Sequence, residues 1–347
     1  MRESRKKEHV LRVDIHSHFA PADIIAGARA GRGFDGLRIE RDAAGRERVR
    51  HRQGFWWAVD PTFYDIEARL AAMDEHGWDL AVLSLTPTLL MYWLADASEA
   101  AGFCRMANDT LAAAAADSGG RAVAVATLPM QDPAAAVTEL RRAVRELGMK
   151  GAQIGPRVED LGLDHRSLRP VLAEAATLGV PLILHPYNAG IRTGLTDYYL
   201  TNLVGNPLES TVGAARLIFG GVLDELPELK LVLMHGGGYL PYQIGRFDHG
   251  HRVRTETKGC QAAPSTYLRR FWYDTITHAP SPLQFLIGQV GADRVVYGTD
   301  FPFDMGGGPV AAQLAGVALA EADRTRIAGG NAVELFGLDV PAGLGVR

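Results

Sequence analysis

Short apolar runs alternate along the chain with longer amphipathic stretches. The apolar runs are nearly continuous, a pattern typical of parallel strands that are buried on both faces. The pattern predicts eight strands, at residues 11–16, 80–85, 122–128, 151–154, 181–185, 229–235, 271–276 and 294–298. The amphipathic stretches predict helices, among them residues 64–76, 133–147, 168–178 and 282–290. Strand alternating with helix predicts an α/β fold built on a parallel sheet.

The ends of the predicted helices carry residues that usually start and stop them. Asp132 before Pro133 predicts an N-cap with proline in the first turn. A glycine follows four helical stretches, where a left-handed cap is expected: Gly77, Gly148, Gly179 and Gly291. Eight strand–helix repeats favour a closed (β/α)₈ TIM barrel over an open doubly wound sheet. The open sheet is less favoured because no glycine-rich dinucleotide turn follows the first strand.

Two stretches interrupt the repeat. Residues 27–63 lie between the first strand and the first helix and mix Gly, Arg, Phe and Trp without a clear period. We interpret them as an insertion over the barrel mouth. Residues 186–212 are expected to form a long loop after the fifth strand. Residues 1–10 and 339–347 are expected to be tails, so residues 1–347 are predicted to form a single barrel domain.

Composition and charge exclude several classes of protein. The 347 residues are 47% hydrophobic and 22% charged, with a net charge of −4, which fits a globular protein and argues against a nucleic-acid partner. The two cysteines, Cys104 and Cys260, cannot build a disulfide framework in a chain of this length. No apolar run is long enough to cross a bilayer, and the charged N-terminus lacks a signal-like core. We therefore expect a cytoplasmic protein without a membrane partner.

Histidine and aspartate residues gather at the carboxyl ends of the predicted strands. They are Asp14, His16 and His18 on the first strand, His185 on the fifth, His235 on the sixth and Asp300 after the eighth. The first three alternate and are therefore expected to share the inner face of their strand. Barrel enzymes carry their active sites at this rim. One histidine at a strand end is usually an ordinary rim residue, but such residues on four strands indicate a common site.

Four of these residues form a suitable ligand set for a metal ion. Imidazole and carboxylate groups bind Zn²⁺, Fe²⁺ or Mn²⁺. We predict that His16, His18, His185 and Asp300 hold one divalent ion and leave a position for water, whose pKa would fall toward about 7. His235 is the candidate acid/base, because imidazole exchanges a proton near neutral pH. A fifth ligand or a neutral hydrogen-bond donor is the alternative role for His235.

Further motifs extend from about Val13 to Leu338. They are Asp14-Ile-His-Ser-His18, Thr127-Leu-Pro-Met130 with Gln153-Ile-Gly155, His185-Pro186, His235-Gly-Gly-Gly238, Gly245-Arg246 with His249-Gly250, Gly298-Thr-Asp300 with Phe301-Pro302-Phe303, and Asn331. Together they resemble the amidohydrolase superfamily and, within it, the branch typified by 2-amino-3-carboxymuconate-6-semialdehyde decarboxylase. Tyr187-Asn188 departs from a member of that branch that has tryptophan after the matching His-Pro pair. Such departures at the pocket leave the substrate open.

The resemblance implies a (β/α)₈ barrel that forms a homodimer. It implies Zn²⁺ on the four ligands named above, with Mn²⁺ or Fe²⁺ as alternatives, and His235 as the acid/base that activates metal-bound water. It also implies that Arg246 reaches across the dimer interface to hold the carboxylate of a small-molecule substrate, a task that suits a guanidinium group. A second such arginine is expected before Trp56-Trp57. Arg50 is the choice, Arg52 the reserve, and a solvated basic face the alternative.

Several aromatic residues are candidates for the pocket wall. Tyr92, Trp93, Tyr187 and Phe301 are predicted to bind substrate, together with Phe303, although aromatic residues belong to the core more often than to a site. Asp274 and His278 lie in or just after the seventh strand. We interpret them as candidates for supporting the metal site rather than for catalysis.

The function that these features predict is the non-oxidative decarboxylation of an unsaturated or aromatic carboxylic acid. His235 and Asp300 are the predicted catalytic residues. A hydrolase or a hydratase could use the same residues, because neither the fold nor the ligand set decides the reaction. A binding protein that kept the barrel without catalysis is a third hypothesis, against which the complete ligand set argues.

Overall fold

The computed structural model describes residues 10–187 and 194–339. The strands are β1 (Val13–Phe19), β2 (Arg38–Arg41), β3 (Glu47–Arg50), β4 (Trp56–Ala58), β5 (Leu80–Leu85), β6 (Ala122–Ala124), β7 (Ala126–Thr127), β8 (Ala152–Ile154), β9 (Arg157–Val158), β10 (Leu161–Gly162), β11 (Leu182–Leu184), β12 (Leu231–Leu233), β13 (Phe271–Asp274) and β14 (Val295–Val296). The helices are α1 (Ala22–Arg29), α2 (Ile66–His76), α3 (Ala97–Asp117), α4 (Pro133–Arg145), α5 (Arg169–Leu178), α6 (Asn206–Phe219), α7 (Val222–Glu225), α8 (Leu240–Val253), α9 (Pro280–Val290), α10 (Val310–Gln313), α11 (Glu321–Thr325) and α12 (Asn331–Phe336).

Eight parallel strand segments close into a barrel, which confirms the predicted fold class. One sheet has the order β1-β5-β6 and the other the order β14-β13-β12-β11-β8-β7. The third barrel strand, β6 and β7 together, joins the two sheets, since β6 pairs with β5 and β7 pairs with β8. The barrel closes between β1 and the segment that follows β14, where the Ile15 amide donates to the Tyr297 carbonyl at 3.0 Å and the Asp300 amide to the His16 carbonyl at 2.7 Å.

Helix ends follow the local chemistry of the sequence. The Asp132 side chain accepts hydrogen bonds from the amides of Ala134 and Ala135 and caps α4, as predicted. Gly77 and Gly179 adopt the left-handed conformation at the ends of α2 and α5. Asp132 therefore fixes where α4 begins, and the two glycines fix where α2 and α5 end and the chain turns back toward the next strand of the barrel.

The first strand contains an irregularity that the simple alternation missed. Asp14 lies opposite Ala81, whereas Ser17 lies opposite Leu83, so three residues of β1 span two residues of β5. Such a bulge reverses the alternation of side chains and can re-aim them next to an active site. The prediction that Asp14 shares a face with His16 and His18 is therefore wrong. The Asp14 carboxylate instead accepts hydrogen bonds from the amide and the hydroxyl of Thr299, at 3.0 and 2.6 Å.

The insertion has more regular structure than its sequence suggested. Strands β2, β3 and β4 form a three-stranded antiparallel sheet between α1 and α2. Trp57 of β4 is buried, and the Arg48 guanidinium lies 4.6 Å from the ring centroid of the exposed Trp56. A cation above an indole ring is a favourable contact. The small sheet therefore supplies a rigid frame for the residues that it holds over the barrel.

The predicted loop at residues 186–212 is only partly a loop. Its last residues form a π-helical turn at Thr201–Gly205 and the start of α6 at Asn206, where Pro207 occupies the first turn. The prediction of a loop is therefore wrong for residues 201–212. Residues 188–193 of the predicted loop lie outside the described residues, as do nearly all of the two predicted tails.

Two apolar layers surround the strands. Val13, Ile15, Val82, Ile183 and Val232 pack in a smaller cluster with residues of α12. The larger cluster lies between the strands and the surrounding helices.

Among the described residues, no helix combines the length and the apolar character that a membrane span requires. The predicted cytoplasmic location stays a prediction.

Candidate metal centre and active site

Four predicted ligands converge at the carboxyl ends of the barrel strands. They come from three places: β1 carries His16 and His18, His185 follows β11, and Asp300 follows β14. One ligand atom of each lies within 4.8 Å of the others, and all four residues are buried. The Asp300 Oδ1 atom lies 2.9 Å from His18 Nε2, 3.3 Å from His16 Nε2 and 4.0 Å from His185 Nε2. The fold therefore brings the predicted ligand set together.

Hydrogen bonds on the outer nitrogens orient two of the histidines. His16 Nδ1 lies 2.6 Å from a carboxylate oxygen of Asp274, and His185 Nδ1 lies 2.6 Å from the carbonyl oxygen of Pro186. A carboxylate and a carbonyl only accept hydrogen bonds, so each Nδ1 carries the proton. The Nε2 atoms then present lone pairs to the centre, which is the usual arrangement for metal-binding imidazole.

The third histidine is oriented through a hydroxyl group. The Ser84 Oγ atom lies 3.1 Å from the Ser17 carbonyl, which can only accept, and 3.0 Å from His18 Nδ1. The hydroxyl therefore donates to the carbonyl and accepts from His18 Nδ1. This leaves the Nε2 atom of His18 as an acceptor as well.

The resulting donor set fits a divalent cation. Three Nε2 lone pairs and one carboxylate oxygen face the same point, and the buried Nε2 atoms of His16 and His185 have no hydrogen-bond partner among the described residues. Acceptors this close repel one another unless a cation or a proton lies between them, and buried polar atoms are almost always satisfied. Imidazole and carboxylate are suitable ligands for first-row divalent ions. This is a divalent metal site.

The protonation states agree with this assignment. Burial lowers the pKa of His18 to about 4 and holds the pKa of His185 well below its usual value. Burial would raise the pKa of Asp300, but His16 and the other histidines hold it well below its usual range. For His16, burial lowers the pKa, but Asp300 and Asp274 outweigh this effect and raise it to about 10. The raised pKa of His16 and the lowered pKa of Asp300 both reflect the close approach of these two groups.

Asp274 connects the metal site to the predicted acid/base. Its carboxylate accepts from His16 Nδ1 at 2.6 Å and from the backbone amides of His235 and Gly236 at 3.0 and 2.7 Å. His235 has a φ of 58°, a region that residues other than glycine seldom adopt. The turn carrying His235 is thus held by the same carboxylate that orients His16. His235 Nε2 lies 3.8 Å from the second oxygen of Asp300.

Two cavities meet at His235 and Asp300. The larger, of about 690 Å³, reaches under the insertion and is walled by aromatic residues such as Phe55, Trp57 and Phe303. The second, of about 570 Å³, runs between helices α6, α8 and α9. Both volumes suit a small organic ligand. The predicted acid/base His235 is therefore accessible to a substrate, as are the ligands His185 and Asp300 at the wall of the larger cavity.

Only some of the predicted substrate-binding aromatics line these cavities. Tyr187 does, and so does Phe303. Tyr92 is buried and its hydroxyl accepts from the Gly155 amide at 3.2 Å, so it supports a strand end instead. The Trp93 indole donates to Asp35 in the insertion at 2.7 Å.

Phe301 also lies outside the lining of both cavities, contrary to its predicted role. Its ring packs 5.2 Å from the Trp78 ring and 4.8 Å from the Arg69 guanidinium, on the outer side of the rim. Phe303, two residues further along, faces the cavity in its place. Spacing along a loop does not decide which of two aromatic rings turns inward.

The predicted arginines do not line the cavities of this chain. Arg50 Nε donates to Glu40 at 2.7 Å on the outer side of the small sheet, and Arg52 binds Asp35. Arg246 is exposed on α8. Within residues 10–187 and 194–339, no lysine or arginine lines either cavity.

Sequence reasoning undervalued the residues that support the site. Asp274 was named only as a candidate support, and Ser84 was not considered. Asn202 and Asn206 line both cavities beside His235 and were also missed. Only Asp274 had a signal, since it is a charged residue within a predicted barrel strand. A serine or an asparagine has no such signal, because its role depends on which residue the fold places opposite.

Comparison with known proteins identifies the family. The model of the amidohydrolase family, Amidohydro_2, matches residues 13–338, and the chain belongs to this family. It is 31% identical to 2-amino-3-carboxymuconate-6-semialdehyde decarboxylase of Dictyostelium discoideum, over 95% of this chain and 92% of that one. It is 33% identical to the gamma-resorcylate decarboxylase of a Polaromonas species, over 87% of this chain and 98% of that one.

Solved structures agree with this placement. The 5-carboxyvanillate decarboxylase of Sphingomonas paucimobilis superposes with a TM-score of 0.80 at 26% identity, over 95% of this chain and 100% of that one. A dihydroxybenzoic acid decarboxylase of Polaromonas, solved with manganese and the inhibitor 2-nitroresorcinol, has a TM-score of 0.76 at 28% identity, over 97% and 99% of the two chains. The predicted resemblance is confirmed, and the chain belongs to the decarboxylase branch of this metal-dependent family.

Proposed function

We propose that this protein catalyses the metal-dependent, non-oxidative decarboxylation of an aromatic or unsaturated carboxylic acid. One observation carries the proposal: four acceptor atoms without an intervening donor converge beside His235, at the base of an aromatic-walled cavity. The names of the relatives support it, since those proteins act on carboxymuconate semialdehyde, resorcylate and carboxyvanillate.

His16, His18, His185 and Asp300 would hold the ion. When bound there, the ion supplies a fixed positive charge that binds the substrate carboxylate or a neighbouring oxygen and stabilises developing negative charge. We propose Zn²⁺, because three imidazoles and one carboxylate suit it. Mn²⁺ is the alternative, since the related dihydroxybenzoic acid decarboxylase structure contains manganese. Elemental analysis of protein purified without added metal distinguishes the two.

The chain's own residues would handle the proton. Asp300 Oδ1 faces the ligand histidines, whereas Oδ2 faces His235 Nε2 at 3.8 Å. A proton held at His235 Nε2 would be delivered to the substrate carbon that bears the carboxylate. The bond from that carbon to the carboxylate then breaks, its electron pair returns to the unsaturated system, and CO₂ leaves. Asp274 keeps His235 in place throughout, because it accepts hydrogen bonds from the backbone amides of His235 and Gly236.

We further propose that the active enzyme is a homodimer in which Arg246 of one subunit serves the site of the other. Arg246 is exposed on α8, one turn beyond Tyr242, which is 77% exposed. Phe285 of α9 packs beside Tyr242 with ring centroids 5.9 Å apart and is also exposed, so this face offers apolar area for association. A carboxylate substrate would gain the basic partner that the described residues of one subunit do not place in the cavities.

Mixing two inactive variants tests the shared site. Arg246→Ala and His235→Ala subunits, allowed to exchange, should recover about a quarter of wild-type activity, since half of the dimers are mixed and each has one intact site. Absence of recovery, with subunit exchange verified by mass spectrometry, would contradict the proposal. Recovery in a monomeric protein would contradict it as well.

The proposed reaction is tested by product analysis on metal-loaded protein. Amino-, hydroxy- and carboxy-substituted benzoates and muconates should be converted to CO₂ and the corresponding product in which a hydrogen replaces one carboxylate. Chelation should stop the reaction and added metal should restore it. Hydrolysis of lactones or esters without CO₂ release, by protein shown to contain its metal, would instead favour the hydrolase alternative.

A further inference from the structure

A buried carboxylate in the insertion takes no part in the metal site. Asp35 has a left-handed backbone, with a φ of 45°, and its side chain is 7% exposed. One oxygen accepts from Trp93 Nε1 at 2.7 Å and from His51 Nε2 at 3.0 Å, and the other binds the Arg52 guanidinium. Trp93 belongs to the barrel loop after β5, whereas His51 and Arg52 belong to the insertion. Asp35 therefore anchors the insertion to the barrel rim, and we call its hydrogen bonds to Trp93, His51 and Arg52 the anchor.

His51 extends this anchor to the turn above the cavity. Its Nδ1 atom accepts from the Gln53 amide at 3.1 Å, so the proton donated to Asp35 is on Nε2. Burial lowers the pKa of His51, which keeps the ring neutral. Its backbone amide donates to the Phe55 carbonyl at 3.1 Å, and its carbonyl accepts from the Gly54 amide at 3.0 Å. Side chain and backbone together hold the turn from His51 to Phe55.

The ring of Phe55 is held among other aromatic rings. It stacks on the His51 ring, with centroids 4.5 Å apart and an interplanar angle of 9°. The centroids of Trp93 and Trp57 lie 5.7 and 6.3 Å away. Gln53, Gly54 and Phe55 line the cavity that contains the metal ligands His185 and Asp300. A chain of direct contacts thus leads from Asp35 to the wall of the substrate cavity.

We propose that Asp35 is a positioning residue that, through His51 and Trp93, fixes Phe55 as the wall against which the ring of an aromatic substrate packs. The inference rests on the proposed function and deepens it, since it assigns the substrate-facing wall and its support. Aromatic rings pack favourably in offset or edge-to-face geometry. A displaced wall loses this packing equally in the bound substrate and in the transition state, so KM should rise while kcat changes little. The metal ligands lie on other elements and keep their place when the anchor is removed.

The test replaces the anchor and leaves the metal site intact. Asp35→Asn places an amide N–H group where one carboxylate oxygen of Asp35 accepted hydrogen bonds. We expect KM for the best benzoate of the substrate panel to rise by about 10-fold, while kcat stays within about threefold and metal content is unchanged. Trp93→Phe keeps an aromatic ring beside Phe55 but removes the indole N–H that donates to Asp35, so it should shift KM in the same direction by less.

Asp42→Asn is the matched control. Asp42 accepts from the amides of Ala44 and Arg46 in the exposed turn between β2 and β3, so it stabilises the insertion away from the cavity. The inference is overturned if Asp35→Asn changes KM no more than Asp42→Asn does, or if kcat falls and KM stays constant. If Asp35→Asn does not fold, Trp93→Phe decides, and an unchanged KM in that variant overturns the inference. If the metal-loaded wild-type protein releases no CO₂ from any acid of the panel, the proposed function is overturned, and this inference with it.

Discussion

Asp274→Asn is the substitution that examines the metal site most sharply without touching a ligand. Each carboxylate oxygen of Asp274 accepts two hydrogen bonds. The first oxygen, Oδ2, accepts from His16 Nδ1 and from the His235 amide. The second, Oδ1, accepts from the amides of Gly236 and Ile276, at 2.7 and 3.2 Å. Asparagine has the same shape but turns one of these oxygens into a donor. Whichever way the amide lies, its nitrogen faces two donors.

The histidine is the partner that can adapt. Backbone amides cannot lose their hydrogen, but His16 can move its proton from Nδ1 to Nε2 and then accept from the new amide. The proton on Nε2 points at the metal position and removes one ligand. Loss of such an outer partner typically weakens metal binding by about 10- to 100-fold, which corresponds to about 1.4–2.8 kcal/mol of binding free energy.

The assay is a competition between the protein and a chromophoric chelator at fixed pH, followed by CO₂ release at saturating metal. Asp304→Asn is the control, because Asp304 lines the larger cavity, which also contains His185 and Asp300, but is not among the four ligands. Its metal affinity should equal that of the wild type. A folded Asp274→Asn protein whose metal Kd stays within about threefold of the wild-type value would refute the reasoning on the His16 proton.

Three further substitutions or treatments probe separate parts of the account. His235→Asn should lower CO₂ release by about 100- to 10,000-fold with metal content unchanged; loss of metal would instead assign His235 to the ligand set. Chelation should lower the Tm measured by scanning calorimetry, since an ion at about 100 times its Kd adds about 2.7 kcal/mol to the free energy of unfolding; an unchanged Tm would contradict a resident ion. Arg69→Met should cost about 3 kcal/mol in urea unfolding, because the buried guanidinium binds Ser17 Oγ and the carbonyls of His18 and Thr62; a cost under about 1 kcal/mol would contradict that role.

The barrel and its ligand set could be predicted because both depend on local patterns. Continuous apolar runs define buried parallel strands, and the position of His185, His235 and Asp300 at strand ends brings them to one rim in any closed barrel. The bulge in β1 could not be predicted, since nothing in the alternation from Asp14 to His18 reveals a shift in pairing. The consequence was an incorrect face for Asp14.

The walls of the cavity were less predictable for a different reason. Phe301 and Phe303 are the same type of residue and lie two positions apart in one loop. Only packing against Arg69 and Trp78 turns the ring of Phe301 outward. Trp93 is drawn from the cavity by the carboxylate of Asp35, which lies 58 residues away in sequence. Contacts over such distances depend on the completed fold, so residue type alone could not assign these side chains.

CO₂ release measured against bound metal per chain tests the central claim most directly. Metal-free protein is titrated with Zn²⁺ or Mn²⁺ while turnover of the best acid of the panel and the metal content are followed together. The account predicts that CO₂ release begins at zero, rises in proportion to bound metal and reaches a plateau at about one ion per chain. Turnover that persists after complete chelation, or metal-loaded protein that releases no CO₂ from any acid of the panel, would contradict it.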